Sequence, residues 1–187
     1  MKDDLKWKKI SSEHIIRNEW VDVRKERYIL PDGRESGDYY NFSRKSYVVI
    51  LAKDPEGNYI CVRQYRPGID AVTTEFPAGT IEWKGQGRPD EETALQAAMR
   101  ELKEETGCTS SCWHHLMTVP SWASLCDDYA YIYEADDCRK VSDLKLDESE
   151  FLNNVRLREE ELQKRIETGR FEQAVHVLAY YASKAGK

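Results

Sequence analysis

Three carboxylates stand at helical spacing in the stretch Arg100-Glu101-Leu102-Lys103-Glu104-Glu105-Thr106-Gly107. Residues three and four apart are neighbours on a helix surface, so Glu101, Glu104 and Glu105 share one region of it. Leu95, Ala98 and Leu102 recur at the same steps and give the helix, which the pattern starts near Glu91, an apolar stripe on a different face. Gly107 ends it as a left-handed cap. The C-terminal end of a helix already carries partial negative charge, and the glutamates repel one another there. Hard oxygen ligands held against that repulsion suit a hard cation, most simply magnesium. A Glu run by itself is more often a solvated face, so the reading depends on the residues around it.

Those residues are Glu92, seven intervening positions, and then Arg100-Glu101-Leu102-Lys103-Glu104-Glu105-Thr106-Gly107-Cys108. They resemble the Nudix box, whose second half they match at every fixed position. The first half departs from it, with Gln86 where the box has its glycine. The earlier Phe76-Pro77-Ala78-Gly79 is similar to the Pro-Ala-Gly entry of the ADP-ribose pyrophosphatase branch. With Gly79 as the box glycine, the loop before Glu92 holds a seven-residue insertion, Gly-, Pro- and charge-rich as suits a surface excursion.

The resemblance implies a divalent-cation-dependent hydrolase of a nucleoside diphosphate linked to another group. It implies Glu101, Glu105 and Glu104 as metal-binding residues with the backbone carbonyl of Ala78. Arg100 orients the carboxylates, with Glu92 as its expected partner. The ion is magnesium, with manganese as the alternative. A general base is expected from a loop between the last strands, where Asp147-Glu148-Ser149-Glu150 stands; Glu150 is the first candidate and Glu148 the second, against an ordinary acidic loop. For the substrate, Gln64-Tyr65-Arg66-Pro67 is similar to the branch's Gln-aromatic-Arg signature. Arg66 and Arg63 would clasp phosphate, and Glu75 would hold an arginine or accept from base or ribose. Trp20 stands where the branch stacks an aromatic on adenine, with Tyr39 or Tyr40 as its counterpart or as core packing. Ser124 replaces a glycine in the Trp122 to Asp128 loop, which leaves the shape of that loop open.

The implied substrate is ADP-ribose or a close ADP-sugar, giving AMP and a sugar phosphate. GDP-mannose or another nucleotide sugar is the alternative within the class. A catalytically silent nucleotide-binding module is the alternative outside it, and the intact Arg100, Glu101, Glu104 and Glu105 argue against that.

The elements that must position these groups follow from the rest of the chain. Its 187 residues are 40% hydrophobic and 33% charged, with net charge −6. That suits one soluble globular domain with a small extra lobe, and argues against non-specific nucleic-acid binding. The N-terminus shows no apolar core of signal-peptide length, and Tyr47 to Ala52, the longest apolar run, is too short to span a bilayer. Five cysteines, Cys61, Cys108, Cys112, Cys126 and Cys138, fit no paired zinc pattern and read as free thiols in a reducing cytoplasm.

The sequence divides into an N-terminal antiparallel β lobe over 1–44 and a catalytic domain over 45–187. In the lobe, 14–30 and 38–42 read as strands around Pro31-Asp32-Gly33, after a solvated basic start at Lys2, Lys6, Lys8 and Lys9. So small a sheet must pack on the main domain or on a second chain; the resemblance implies a homodimer. In the main domain, strands are expected at 47–52, 59–66, 75–79, 113–119, 129–135 and 151–157, with an acidic surface loop over 134–149. Helices are expected at 159–168 and 171–183, the latter with a stripe of Phe171, Val175, Leu178 and Ala182. The fold class is an α/β/α sandwich around a mixed sheet.

Overall fold

A computed structural model describes residues 5–85, 87–146, 148 and 150–185. The chain forms two compact units, residues 1–45 with 120–128, and residues 46–119 with 129–187.

The smaller unit is a three-stranded antiparallel sheet of β1 (Lys8–Arg17), β2 (Asp22–Ile29) and β3 (Tyr39–Ser43), in that order. The expected strand over 14–30 is therefore two strands. Asn18 breaks it: its side-chain oxygen accepts from the amides of Trp20 and Val21 and its own amide donates to Val21, a side-chain turn of the kind Asn favours. Lys8 and Lys9 are not tail but the start of β1, while Lys2 lies outside the described residues. Lys9 is drawn in by Glu26 on β2, a carboxylate only 2% exposed. Glu26 also accepts from Ser12, Tyr28 and Asn41. The 120–128 segment joins this unit through the Phe42 amide, which donates to Leu125, and through Asp127, which accepts from Ser43 and Arg24.

The larger unit is built on a seven-stranded mixed sheet. Its strands are β4 (Tyr47–Lys53), β5 (Tyr59–Arg66), β6 (Ala71–Glu75), β7 (Ala78–Thr80), β9 (Cys112–Pro120), β10 (Tyr129–Asp136) and β12 (Leu152–Leu157). The order is β12-β5-β4-β10-β9, with β6 on β5 and β7 on β4. Two short strands, β8 (Cys108–Thr109) and β11 (Arg139–Lys140), pair separately. The expected loop over 134–149 is corrected in its first part, where Glu134 to Asp136 finish β10 and β11 follows, while residues 141–146 are irregular. The helices are α1 (Glu91–Thr106), α2 (Glu159–Glu167) and α3 (Ala174–Ala185).

β4 shows why the sheet is covered on both sides. Val48, Ile50 and Ala52 pack with Ala94, Ala98 and Leu102 of α1. The alternate residues Val49 and Leu51 pack with Leu162 of α2 and Ala179 and Tyr180 of α3. A continuous apolar run with period-two alternation into two cores is what a central strand requires. On α3 the buried residues are His176, Ala179, Tyr180 and Ser183, and Leu178 is exposed. Of the expected stripe, Phe171 is in the core and Val175 packs against it, but Leu178 gives way to polar groups with specific partners: His176 accepts from the Phe76 amide, and Tyr180 donates to Glu159.

The insertion before α1 is tied down at its far end, though Gln86 lies outside the described residues. Arg88 lies 3.9 Å above the Tyr129 ring. The Tyr131 hydroxyl donates to Pro89, and that of Tyr133 to Glu91. Asp90 then caps α1 by accepting from the Thr93 amide.

Candidate active site

The site is assembled where the last turns of α1 face β7. Glu101 and Glu105 are 7% and 3% exposed, although both are carboxylates. Their burial is possible because β7 offers a glycine. A Cβ on Gly79 would land on the Glu101 carboxyl group, so the strand must be bare there for Glu101 to lie across it. One residue earlier, the Ala78 amide donates to Glu105 Oε2 at 3.0 Å. The helix end is pinned behind them. Gly107, at φ 70°, returns its amide to Lys103, and a Cβ there would strike Ser142. Asn154 of β12 donates to the Glu105 carbonyl.

The electrostatics are those of an anion-rich site. Burial raises the Glu101 pKa to about 7 against the pull of Arg100, and Glu104 and Glu150 push it further up. Burial raises Glu105 well above the ordinary carboxylate range. The Ala78 amide opposes this, and Glu101, Glu150 and Glu75 add to it. Arg100 spreads its fork over Glu104 Oε2 at 2.7 Å, Glu101 Oε1 at 2.6 Å and the Thr80 carbonyl at 3.1 Å. Its partners are thus Glu101 and Glu104; the expected pairing with Glu92 is not formed. Among the described residues, the Glu105 carboxylate has one hydrogen bond, from Ala78, and no ion pair. Buried oxygen donors in excess of positive charge fit a hard divalent ion.

Glu150 is brought to this cluster, since its charge acts on both Glu101 and Glu105. Glu148 is exposed, and Asp147 and Ser149 lie outside the described residues. Arg66 is held by Glu75, with Nε and one terminal nitrogen each 2.9 Å from Oε1. Glu75 is fully buried and accepts a second bond, from Gln173 at 2.6 Å. Pairing of Val62 with Glu75 and strand alternation put Arg66 and Glu75 on one face of the sheet and Arg63 on the other. Arg63 therefore does not converge with them.

Trp20, Tyr39 and Tyr40 belong to the smaller unit. Trp20 is 70% exposed at the β1–β2 turn, with Lys45 over its ring. Tyr39 packs edge-on against Trp7 and Tyr28, which is the packing alternative, and Tyr40 is exposed. Ser124 does not adopt a positive φ, so serine sits there without backbone strain.

Two residues escaped sequence reasoning. Gln173 holds Glu75, and His176 accepts the Phe76 amide through Nδ1 at 3.0 Å. Burial, with Arg66 nearby, lowers the His176 pKa to about 3. An imidazole in the first turn of α3, flanked by Val175 and Val177, was the available signal.

Comparison with known proteins agrees with this geometry. Residues 43–177 match the model of the NUDIX domain, and residues 7–40 that of the nucleoside diphosphate sugar hydrolase N-terminal domain. The chain is 29% identical over 165 residues to the ADP-ribose pyrophosphatase of Bacillus subtilis (strain 168), covering 88% of this chain and 85% of that one. It is 30% identical over 136 residues to the ADP-ribose pyrophosphatase of Mycobacterium tuberculosis, covering 71% and 60%. The methanol dehydrogenase activator of Bacillus methanolicus is 28% identical, covering 92% and 89%. In fold, the chain superposes on a crystal structure of an ADP compounds hydrolase with a TM-score of 0.83 at 23% identity, over 99% of this chain and 96% of that one. The carboxylate helix, the glycine strand beneath it and a domain match over most of its length make this chain a member of the Nudix hydrolase family.

Proposed function

We propose that the chain hydrolyses the pyrophosphate bond of ADP-ribose or a related ADP-sugar, giving AMP and a sugar phosphate. The observation that carries this is the buried Glu101–Glu105 pair over Gly79, charged beyond what Arg100 offsets. The names of its relatives narrow the substrate to ADP compounds.

Glu101 and Glu105 would hold a divalent ion, magnesium or manganese, with Glu104 and the Ala78 carbonyl as further donors. Such an ion supplies charge neutralisation at the pyrophosphate oxygens and a lowered pKa for water. Arg100 keeps Glu101 and Glu104 apart and aimed. Glu150 is the candidate base, taking the proton of the attacking water; Glu148 is second. Arg66, steadied by Glu75, presents its guanidinium to a phosphate. Trp20 and Tyr40 remain candidates for substrate contact. The free state of all five cysteines suits a reducing cytoplasm. No helix among the described residues is long and apolar enough to cross a membrane.

The test is product release from a panel of nucleotide sugars with magnesium, with manganese and with chelator. Cation-dependent AMP release from ADP-ribose, well above GDP-mannose turnover, is expected. Preference for GDP-mannose would overturn the substrate assignment, and no turnover with either ion would favour a silent binding module.

A further inference from the structure

A second group of metal-ligating side chains lies away from the α1 carboxylates. Cys112 and His114 are two residues apart on β9, so both side chains leave the same face. Asp136 ends β10, the neighbouring strand. One donor atom from each of the three falls within 4.8 Å of the other two. Sheet alternation places this group on the side opposite α1. Tyr131, Tyr133 and Ala135 of β10 pack into the α1 core together with Trp113 of β9, so Asp136, Cys112 and His114 point the other way.

We propose that Cys112, His114 and Asp136 form a second metal site, which takes a borderline-soft transition ion such as Zn2+ through one thiolate, one imidazole and one carboxylate.

Three observations support it. The first is spacing. Zinc bonds of about 2.3 Å to sulfur and about 2.0 Å to nitrogen, at a tetrahedral angle, put those two atoms about 3.5 Å apart. Cys112 Sγ and His114 Nε2 lie 3.5 Å apart. The second is support behind the ligands. The Ser110 hydroxyl accepts from the Cys112 amide at 2.9 Å and donates to the Asp136 carbonyl at 2.5 Å. One side chain thus joins the backbones of two of these residues on different strands and fixes their spacing. The third is chemistry. A sulfur, nitrogen and oxygen set selects zinc or a similar ion over magnesium, so the two sites would not compete for one metal. Lys53 lies 3.7 Å from Asp136 Oδ1 while bonded more closely to Glu134, so an ion at Asp136 competes with this longer ion pair. Cys112 is partly exposed, so an ion can reach it, and three protein ligands leave a fourth position to water.

The test is titration of the chelator-stripped full chain with Co2+, followed by its visible bands and by the thiolate-to-cobalt charge-transfer band, with Zn2+ as competitor. One equivalent giving a four-coordinate spectrum with a thiolate band is expected. The band should vanish in Cys112→Ser, and affinity should fall at least tenfold in His114→Gln. Ser110→Ala should weaken binding by about tenfold, while Glu105→Gln keeps the band. Circular dichroism matching the parent separates lost ligation from lost folding. Absence of any thiolate band in the parent, or a band that survives Cys112→Ser, overturns the proposal.

Discussion

Gly79 and Glu105 serve activity without serving stability. The nearest atoms a Cβ at Gly79 would meet are those of the Glu101 carboxyl, the far end of a flexible side chain. Gly79→Ala should therefore leave the melting temperature nearly unchanged and displace Glu101 by about an ångström. Misplacement of that order costs roughly 10²-fold in turnover. Kinetics beside thermal melts check this; a folded, fully active variant would remove Glu101 from the cation site. Glu105→Gln reaches the same end by another route. Its carboxylate is buried among Glu101, Glu150 and Glu75, so the charge is a burden on the fold without a cation. The amide should raise the melting temperature of the metal-free chain and lower turnover roughly 10³-fold. Full activity in Glu105→Gln, or lower stability than the parent in chelator, would contradict this account.

At the scale of the elements, α3 matters to the site without lining it. His176 is neutral and fixes the amide of Phe76, and Ala78, two residues on, presents its own amide to Glu105. His176→Leu leaves a buried amide unpaired, at a cost of about 1–3 kcal/mol, and loosens the corner between β6 and β7. Turnover should fall with little change in KM, and His176→Asn should restore part of it; a change in KM alone would assign the residue to substrate binding instead. This helix also shows which parts of the fold were legible. α1, β4 and β5 were readable because Ala94, Ala98 and Leu102 recur at helical steps on α1 and continuous apolar runs fill β4 and the first half of β5. Residues 174–185 were readable as a helix but not in rotation, because His176, Tyr180 and Ser183 face inward, and the partners of His176 and Tyr180 lie far off in sequence. β1 was invisible as a strand at its start because all ten of its residues are exposed, so nothing in its apolar pattern distinguishes it from a tail. In the site the same limit holds. The Glu-rich box showed in the spacing, whereas the Glu75 hold on Arg66 and the opposite face of Arg63 depend on strand pairing that no local pattern contains.

For the whole molecule, the exposed β1 sets an expectation about assembly and acid response together. Among the described residues β1 pairs with β2 alone, leaving an open edge, and Trp7, Ile10, Ile15 and Ile16 are exposed on or beside it. An open, apolar edge strand is a surface that proteins normally cover, and a second copy of the chain is the proposed cover. Sedimentation should give a dimer, and Ile16→Lys a monomer with an intact fold. A monomeric parent would refute it. Besides its ladder with β2, β1 is tied down by Glu26, which accepts from Lys9 and Ser12. Burial would raise its pKa, but hydrogen bonds from Lys9, Tyr28, Asn41 and Ser12 outweigh that and lower it from 4.5 to about 2. A carboxylate depressed on folding contributes stability above its unfolded pKa. That contribution is lost as pH falls from 4.5 to about 2, at up to ~1.4 kcal/mol per unit. Melting temperature should therefore drop through that window, with dimer dissociation following, and Glu26→Gln should start lower and fall less steeply. An unchanged slope in that variant would mean that other carboxylates govern the acid limb and that β1 is held without Glu26.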